Sequence, residues 1–377
     1  MRIGFDGKRA VQNFTGLGNY SRYVADILCH FYPENDYVLY APKKRENKRM
    51  NLLTGQYRQL TLAYPATSFW KILSSLWRVW GITSQLEKEG IELFHGLSNE
   101  LPLNIHKSRI KSIVTIHDLI FLRYPQYYQS IDRKIYTYKF RKACENADKI
   151  IAISECTKRD IIRYFNIPDD KIEVVYQGCD VSFTHPVTEE KKEEVRKKYQ
   201  LPDHYILNVG SIEERKNILA AVQALPMLPQ HIHIVIVGRR TGYTEKVEQF
   251  IKDNGLGERV HIISNVPFND LPAFYQSAEI FVYPSRFEGF GIPIIEALYS
   301  GIPVVAATGS CLEEAGGPDS IYVNPDDITG LADAFKQIYS NSDKRKNMVE
   351  KGREFAKRFS EKQQSEEIIN IYKKLIR

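Results

Sequence analysis

Cysteine is sparse and scattered. Cys29, Cys144, Cys156, Cys179 and Cys311 are odd in number, and no two form a C-x-x-C pair, so neither a disulfide framework nor a zinc site is indicated. No apolar run approaches the roughly 18 to 20 residues of a membrane span. No Asp-x-Asp occurs to hold a metal between carboxylates. The amino end, Met1-Arg2-Ile3-Gly4-Phe5-Asp6-Gly7, lacks the long apolar core of a signal peptide and reads as a strand entering a turn. The mature chain is therefore expected to begin at Met1 and to stay in the cytoplasm with its thiols reduced. What remains is 377 residues, 43% hydrophobic and 26% charged, a soluble globular composition long enough for two domains.

The net charge of +6 is concentrated in the first half, where residues 1–184 carry roughly 27 Lys and Arg against 19 Asp and Glu. Such an asymmetry marks a surface facing anionic partners. Its densest runs are Lys43-Lys44-Arg45-Glu46-Asn47-Lys48-Arg49 and the set Arg133, Lys134, Lys139, Arg141 and Lys142, each of which also reads as an ordinary solvated face. No nucleic-acid-binding motif accompanies the charge, so nucleic acid is not expected as a partner.

Strands and helices alternate along the chain. Ile3–Phe5, Tyr37–Tyr40, Leu93–His95, Ser112–Ile116 and Lys149–Ile153 read as buried strands, with helices over Tyr20–His30 and Arg133–Asn146. The charged, proline-containing stretch Thr184–Gln200 reads as a linker. A second alternation follows, with strands at Tyr205–Val209, Ile232–Val237, Val260–Ile263, Ile280–Tyr283, Val304–Ala306 and Ile321–Val323. The fold class is α/β, two doubly wound parallel sheets covered on both faces, with domains expected at 1–184 and 185–360. Their strand ends are expected to face one cleft, and the last helix, within 361–377, to return to the first domain.

The most informative segment is Glu288-Gly289-Phe290-Gly291-Ile292-Pro293-Ile294-Ile295-Glu296, where the strand Ile280–Tyr283 hands over to a helix. Pro293 suits the first helical position, and the glycines let the backbone approach a ligand. The free amides and positive dipole of the helix start favour phosphate. Glu296, placed in the first turn, should then point at hydroxyl groups such as a ribose, and Glu288 at whatever lies beyond the phosphate. Gly210-Ser211 ends an earlier strand, and Arg215-Lys216-Asn217 follows, two adjacent cations suited to a diphosphate. In the first half, Gly16 and Gly18 sit in Thr15-Gly16-Leu17-Gly18-Asn19-Tyr20, between strand and helix. His117-Asp118 closes the strand Ser112–Ile116, where the histidine could bind a sugar, assist proton transfer or serve as a structural donor.

These positions together resemble the retaining nucleotide-sugar glycosyltransferases of the GT-B fold, known as glycosyltransferase family four or group one. The Glu288 to Glu296 run and the Gly210 to Asn217 stretch carry most of the resemblance; Asp118, Gln177-Gly178-Cys179-Asp180 and Val323-Asn324-Pro325-Asp326-Asp327 add to it. It implies transfer of a sugar from a nucleoside diphosphate donor to a saccharide or lipid-linked acceptor, with retained configuration and no metal or other cofactor. By the same resemblance Arg215 and Lys216 hold the diphosphate, Glu288 contacts the transferred sugar, and the backbone of Gly289, Phe290, Gly291 and Ile292 binds sugar and phosphate. Glu296 binds the ribose, while Gly210, Ser211, Gly16 and Gly18 line the donor. His117 lies near the transferring sugar, with Asn19 and Tyr20 on the acceptor side. The chain departs from the family where Tyr176-Gln177 replaces the usual Pro-Asn, and where Asn19 replaces Arg.

Two other classes share the architecture: a nucleotide-sugar epimerase, which would act without an acceptor, and a non-catalytic sugar-binding partner of a transferase complex. A glycosidase reading of the two glutamates is set aside because Glu296 is committed to the nucleotide. All three tryptophans fall in 69–82, and Trp70, Leu73, Trp77 and Trp80 share a face on a continuous helix, alongside Lys71 and Arg78. That stripe reads either as core or as a contact with the inner face of the cytoplasmic membrane.

Overall fold

In the computed structural model, which describes residues 1–376, the apolar runs form two parallel sheets in two compact units. The first unit holds residues 1–177 and the final helix, Glu361–Ile376. Its strands are β1 (Arg2–Asp6), β2 (Asp36–Tyr40), β3 (Leu60–Ala63), β4 (Leu93–Gly96), β5 (Lys111–Ile116), β6 (Lys149–Ala152) and β7 (Ile172–Val174), in the order β3-β2-β1-β4-β5-β6-β7. Register aligns Ile3 with Tyr37 on one side and with Leu93 on the other. Alternation decides which face each residue covers. Ile3, Phe5, Tyr37, Leu39 and Ile113 join one core, while Val38, Tyr40, Phe94, Val114 and Ile116 join the other. The final helix closes the first core with Ile368, Ile369, Ile371 and Tyr372, at roughly 1.5 to 3 kcal/mol for each large apolar side chain buried.

The second unit spans Gly178–Ser360. Its strands are β8 (Tyr205–Val209), β9 (His233–Val237), β10 (Val260–Ile263), β11 (Ile280–Tyr283), β12 (Val304–Ala307) and β13 (Ile321–Val323), ordered β10-β9-β8-β11-β12-β13. This is the doubly wound order, and its direction reverses between β8 and β11, leaving a crevice beyond their carboxyl ends.

Three expectations require correction. The linker is largely a helix, Glu189–Tyr199, capped by the Thr188 side chain, which accepts from the Lys191 amide, and ended by a left-handed Gln200. Val195 is its one buried residue, so apolar periodicity is absent. Lys191 and Lys198 instead pair with Asp270 at 3.0 and 2.8 Å, and acidic first-turn and basic last-turn residues suit the helix dipole. The unit boundary falls at 177/178 rather than 184/185, because Phe183 is buried with its ring 5.8 Å from Phe268 and 5.4 Å from Tyr275, both in the second unit.

The tryptophans do not share one helical face. Helix Ser68–Ile72 breaks at Leu73, and a π turn at Trp77–Gly81 shifts the phase before helix Ile82–Lys88. Trp77 is fully buried and its Nε1 donates to Gln85 Oε1 at 3.1 Å, whereas Trp80 is 47% and Ile72 81% exposed. Trp70 lies against Gly81, where a Cβ would come within 2.6 Å of the indole. No helix among the described residues is long and apolar enough to cross a membrane.

Candidate active site

The crevice beyond β8 and β11 gathers the strongest charges of the second unit. After β8 the chain passes Gly210 and Ser211 into a single turn, Glu214–Lys216, and ends it on Asn217 at φ 55° before helix Ile218–Ala224. The Asn217 side chain donates to the carbonyls of Pro284 (3.3 Å) and Pro325 (2.8 Å), tying together the segments that follow β8, β11 and β13. Gly210, at φ 152°, leaves room for Lys216, whose Nζ would lie 3.2 Å from a Cβ there. The Ser211 hydroxyl is engaged by Glu213 Oε1 at 2.6 Å.

Arg215, Lys216 and Glu288 form one cluster, with side chains 15, 17 and 13% exposed. Arg215 Nη1 lies 2.9 Å from Glu288 Oε2 and also donates to the Phe287 carbonyl. Lys216 Nζ lies 3.3 Å from Glu288 Oε1 and 2.9 Å from the Tyr283 hydroxyl. Glu288 Oε1 accepts further from Tyr283 (3.1 Å) and Ser285 (2.9 Å). Burial opposes ionisation of Glu288, but Lys216 and then Arg215 outweigh it and hold the carboxyl at about 2. Burial likewise opposes both cations, yet Glu288 raises both above their ordinary values. A second carboxylate, Glu213, lies 3.6 Å from Arg215 Nη2 and 3.8 Å from Arg239 Nη2, so three cations face two carboxylates and leave one positive charge in surplus for an anion.

Helix Ile292–Ser300 starts beside this cluster. Its cap is Gly291, at φ 121°, a conformation that favours glycine, and its stop is the left-handed Gly301. Ile292, not Pro293, is the first helical residue, so Glu296 falls in the second turn. There it accepts from the Tyr275 hydroxyl at 2.6 Å, and burial, only partly offset by that bond, pushes its carboxyl up to about 7. Phe290 is buried, its ring 5.5 Å from Phe359. The Cys311 thiol lies 2.9 Å from the Glu288 carbonyl and 3.1 Å from that of Phe290, buttressing the run from behind.

The remaining expected residues belong to the first unit, at the carboxyl ends of β1 and β5. Gly16 and Gly18 lie within helix Gly16–Phe31 rather than before it, since a short helix, Lys8–Gln12, precedes. Gly16 is exposed, whereas Gly18 is required for packing: a Cβ would fall 2.0 Å from the Asn13 carbonyl oxygen. Asn19 is exposed and accepts from Arg22 Nη2 (2.6 Å) and Arg49 Nη1 (3.2 Å).

Tyr20 is buried, its hydroxyl 3.2 Å from Thr115 Oγ1 and its ring edge-on to His117 at 4.6 Å. His117 is also buried, with Nε2 2.9 Å from the Leu97 carbonyl and Nδ1 3.1 Å from Gln177 Nε2. A donor N–H at Nε2 and an acceptor at Nδ1 satisfy both contacts, so the ring is neutral, in keeping with burial that lowers it to about 4. Proton transfer by this ring is not supported by the geometry, because both nitrogens are occupied. His95 extends the same network, joining Thr115 (2.8 Å) to the Tyr372 hydroxyl of the final helix (2.6 Å).

Residues 189–355 match the model of the glycosyl transferases group 1, and residues 21–183 that of Glycosyltransferase Family 4. Over 289 residues the chain is 31% identical to the O-antigen chain mannosyltransferase B of Escherichia coli, covering 75% of this chain and 74% of that protein. The chain belongs to the group 1, family 4 glycosyltransferases. This glycosyltransferase is also 29% identical over 225 residues to the O-antigen chain mannosyltransferase RfbU of Salmonella typhimurium, covering 60% of each chain. Its fold is GT-B, as in the Anabaena HepE structure with UDP and glucose, which superposes at a TM-score of 0.77 over the whole of both chains with 17% identity.

Proposed function

We propose that the enzyme moves a hexosyl group from a nucleoside diphosphate sugar to a saccharide or lipid-linked saccharide, with retained anomeric configuration, in cell-surface polysaccharide biosynthesis. The observation that carries this reading is the Arg215, Lys216 and Glu288 cluster beside the start of helix Ile292–Ser300. A departing diphosphate develops negative charge, and fixed cations and backbone amides meet that charge without reorganising. These groups fill the part a divalent ion would otherwise play, so the reaction is read as metal-independent. Both relatives are O-antigen mannosyltransferases, which makes mannose the first sugar to test.

The acceptor hydroxyl attacks the anomeric carbon on the face the diphosphate leaves. The new C–O bond forms as the old one breaks, and the hydroxyl proton passes to a donor phosphate oxygen. Glu288, pinned by two cations, is a poor nucleophile or base, which argues against a hydrolase with a glycosyl-enzyme intermediate. Glu296 would receive the ribose hydroxyls, exchanging its bond from Tyr275 for them. Membrane contact, where it occurs, is assigned to exposed Phe69, Ile72, Leu76 and Trp80 beside Lys71, with Trp77 left to the core.

Incubating the protein with a panel of nucleotide sugars, with and without saccharide acceptors, tests the proposal. Sugar transfer that requires acceptor supports it. Conversion of the donor to its epimer without acceptor would establish the epimerase reading, and binding without turnover the non-catalytic one.

A further inference from the structure

Outside the donor site, the structure joins two basic stretches that are far apart in sequence. Lys8 and Arg9 follow β1 directly, and Lys43, Lys44 and Arg45 follow β2. The Gln12 side chain donates to the Lys43 carbonyl (3.3 Å), Arg45 Nη1 donates to the Gln12 carbonyl (3.2 Å), and Asn47 Nδ2 donates to the carbonyls of Ala10 (3.2 Å) and Val11 (3.0 Å). Of the nearby acids, Glu46 follows Arg45 and is exposed, while Asp6 and Glu100 are already matched. Asp6 takes Arg78 Nε at 3.1 and 3.2 Å, and Glu100 takes Arg78 Nη1 at 2.7 Å and Lys139 Nζ at 3.4 Å. Among the described residues no ion pair is made by Lys8, Arg9, Lys43, Lys44 or Arg45.

Lys8 is the informative member. It is half-buried, just past the carboxyl end of the interior strand β1, and burial followed by the Arg78 charge pushes its ammonium below the usual lysine range. A lysine needed only for solubility would extend into water and avoid both penalties. A phosphate would remove them, since its charge favours the ammonium and its oxygens accept the N–H groups.

We propose that Lys8 and Arg9, backed by Lys43, Lys44 and Arg45, form a phosphate subsite for the acceptor. The inference rests on the glycosyltransferase reading and names the acceptor class: a saccharide carried on a phosphate or diphosphate.

The test compares the full-length enzyme with its Lys8→Gln and Arg9→Gln variants on two acceptors. One is a short-chain lipid-diphosphate saccharide held in neutral detergent, and the other is the same saccharide as a phosphate-free glycoside. In each variant KM for the diphosphate acceptor should rise at least tenfold, while KM for the glycoside and for the donor stays within twofold. Lys8→Arg should restore most of the loss, and unchanged thermal unfolding would show that the fold is intact. Equal changes on both acceptors, or none, would overturn the subsite. Weakened binding of Lys8→Gln to phosphatidylglycerol vesicles, with no change in the detergent assay, would assign the cations to lipid headgroups and overturn the acceptor assignment. Failure of the unmutated enzyme to glycosylate either acceptor would instead count against the functional reading itself.

Discussion

Glu296 makes opposing demands on stability and binding, and Glu296→Gln separates them. In the folded protein the carboxyl titrates near 7, against an ordinary value of 4.5, because burial outweighs the bond from Tyr275. The folded state therefore holds a proton that the unfolded state releases between these values. Stability falls as pH rises from about 4.5 to 7, and the penalty is complete above the folded value. At roughly 1.36 kcal/mol per unit this comes to about 3.4 kcal/mol, reduced to about 2 by the partial exposure of the side chain. Gln keeps an oxygen for the Tyr275 hydroxyl and carries no charge. The variant should match the parent at pH 4 and exceed it at pH 8 by about 4 to 8 °C in the unfolding of the second unit, at 2 to 4 °C per kcal/mol. Its affinity for nucleotide should fall about tenfold. Thermal unfolding at the two pH values, with titration calorimetry of the nucleotide, measures both. A melting difference that does not change with pH would refute the argument.

Four further outcomes are expected. Replacing Arg215 or Lys216 by Ala should reduce kcat/KM by about 3 to 4 kcal/mol of transition-state stabilisation, and activity within threefold of the parent would remove them from the donor site. Glu288→Gln should lower turnover while nucleotide affinity persists, with calorimetry and steady-state rates separating the two. Turnover should survive a chelator, whereas loss restored by manganese or magnesium would assign the phosphate to an ion. In sedimentation with anionic vesicles at low salt, Ile72→Ser should weaken binding without moving the melting temperature, while Trp77→Ser should cost about 3 kcal/mol of stability or more; the reverse pattern would exchange their places.

The parts of this molecule legible in its sequence are those governed by short-range pattern. Short β-branched and aromatic apolar runs such as Ile280–Tyr283 read as buried strands, and the glycines and proline of 289–293 mark the handover to helix Ile292–Ser300. Asn217 stands within the basic stretch, but the carbonyls it binds lie 67 and 108 residues away in two other segments, which no local pattern reports. Cys311 likewise meets the Glu288 and Phe290 carbonyls from the next strand-helix unit. His117 is a functional candidate in sequence because its partners, Leu97 and Gln177, lie 20 and 60 residues away. The tryptophan spacing satisfies a helical stripe only if the helix is continuous, and the chain instead breaks at Leu73 and passes through a π turn at Trp77–Gly81. Charge obscured the helix Glu189–Tyr199 because its stability comes from caps, dipole and Asp270 rather than from an apolar face.

The most direct test of the central claim is the anomeric configuration of the product, followed by proton NMR from the first turnovers with a nucleoside diphosphate hexose and a saccharide acceptor. A retaining transferase gives a new glycosidic bond with the anomeric configuration of the donor, formed only when acceptor is present. Inverted product, or donor consumed equally without acceptor, would contradict that claim.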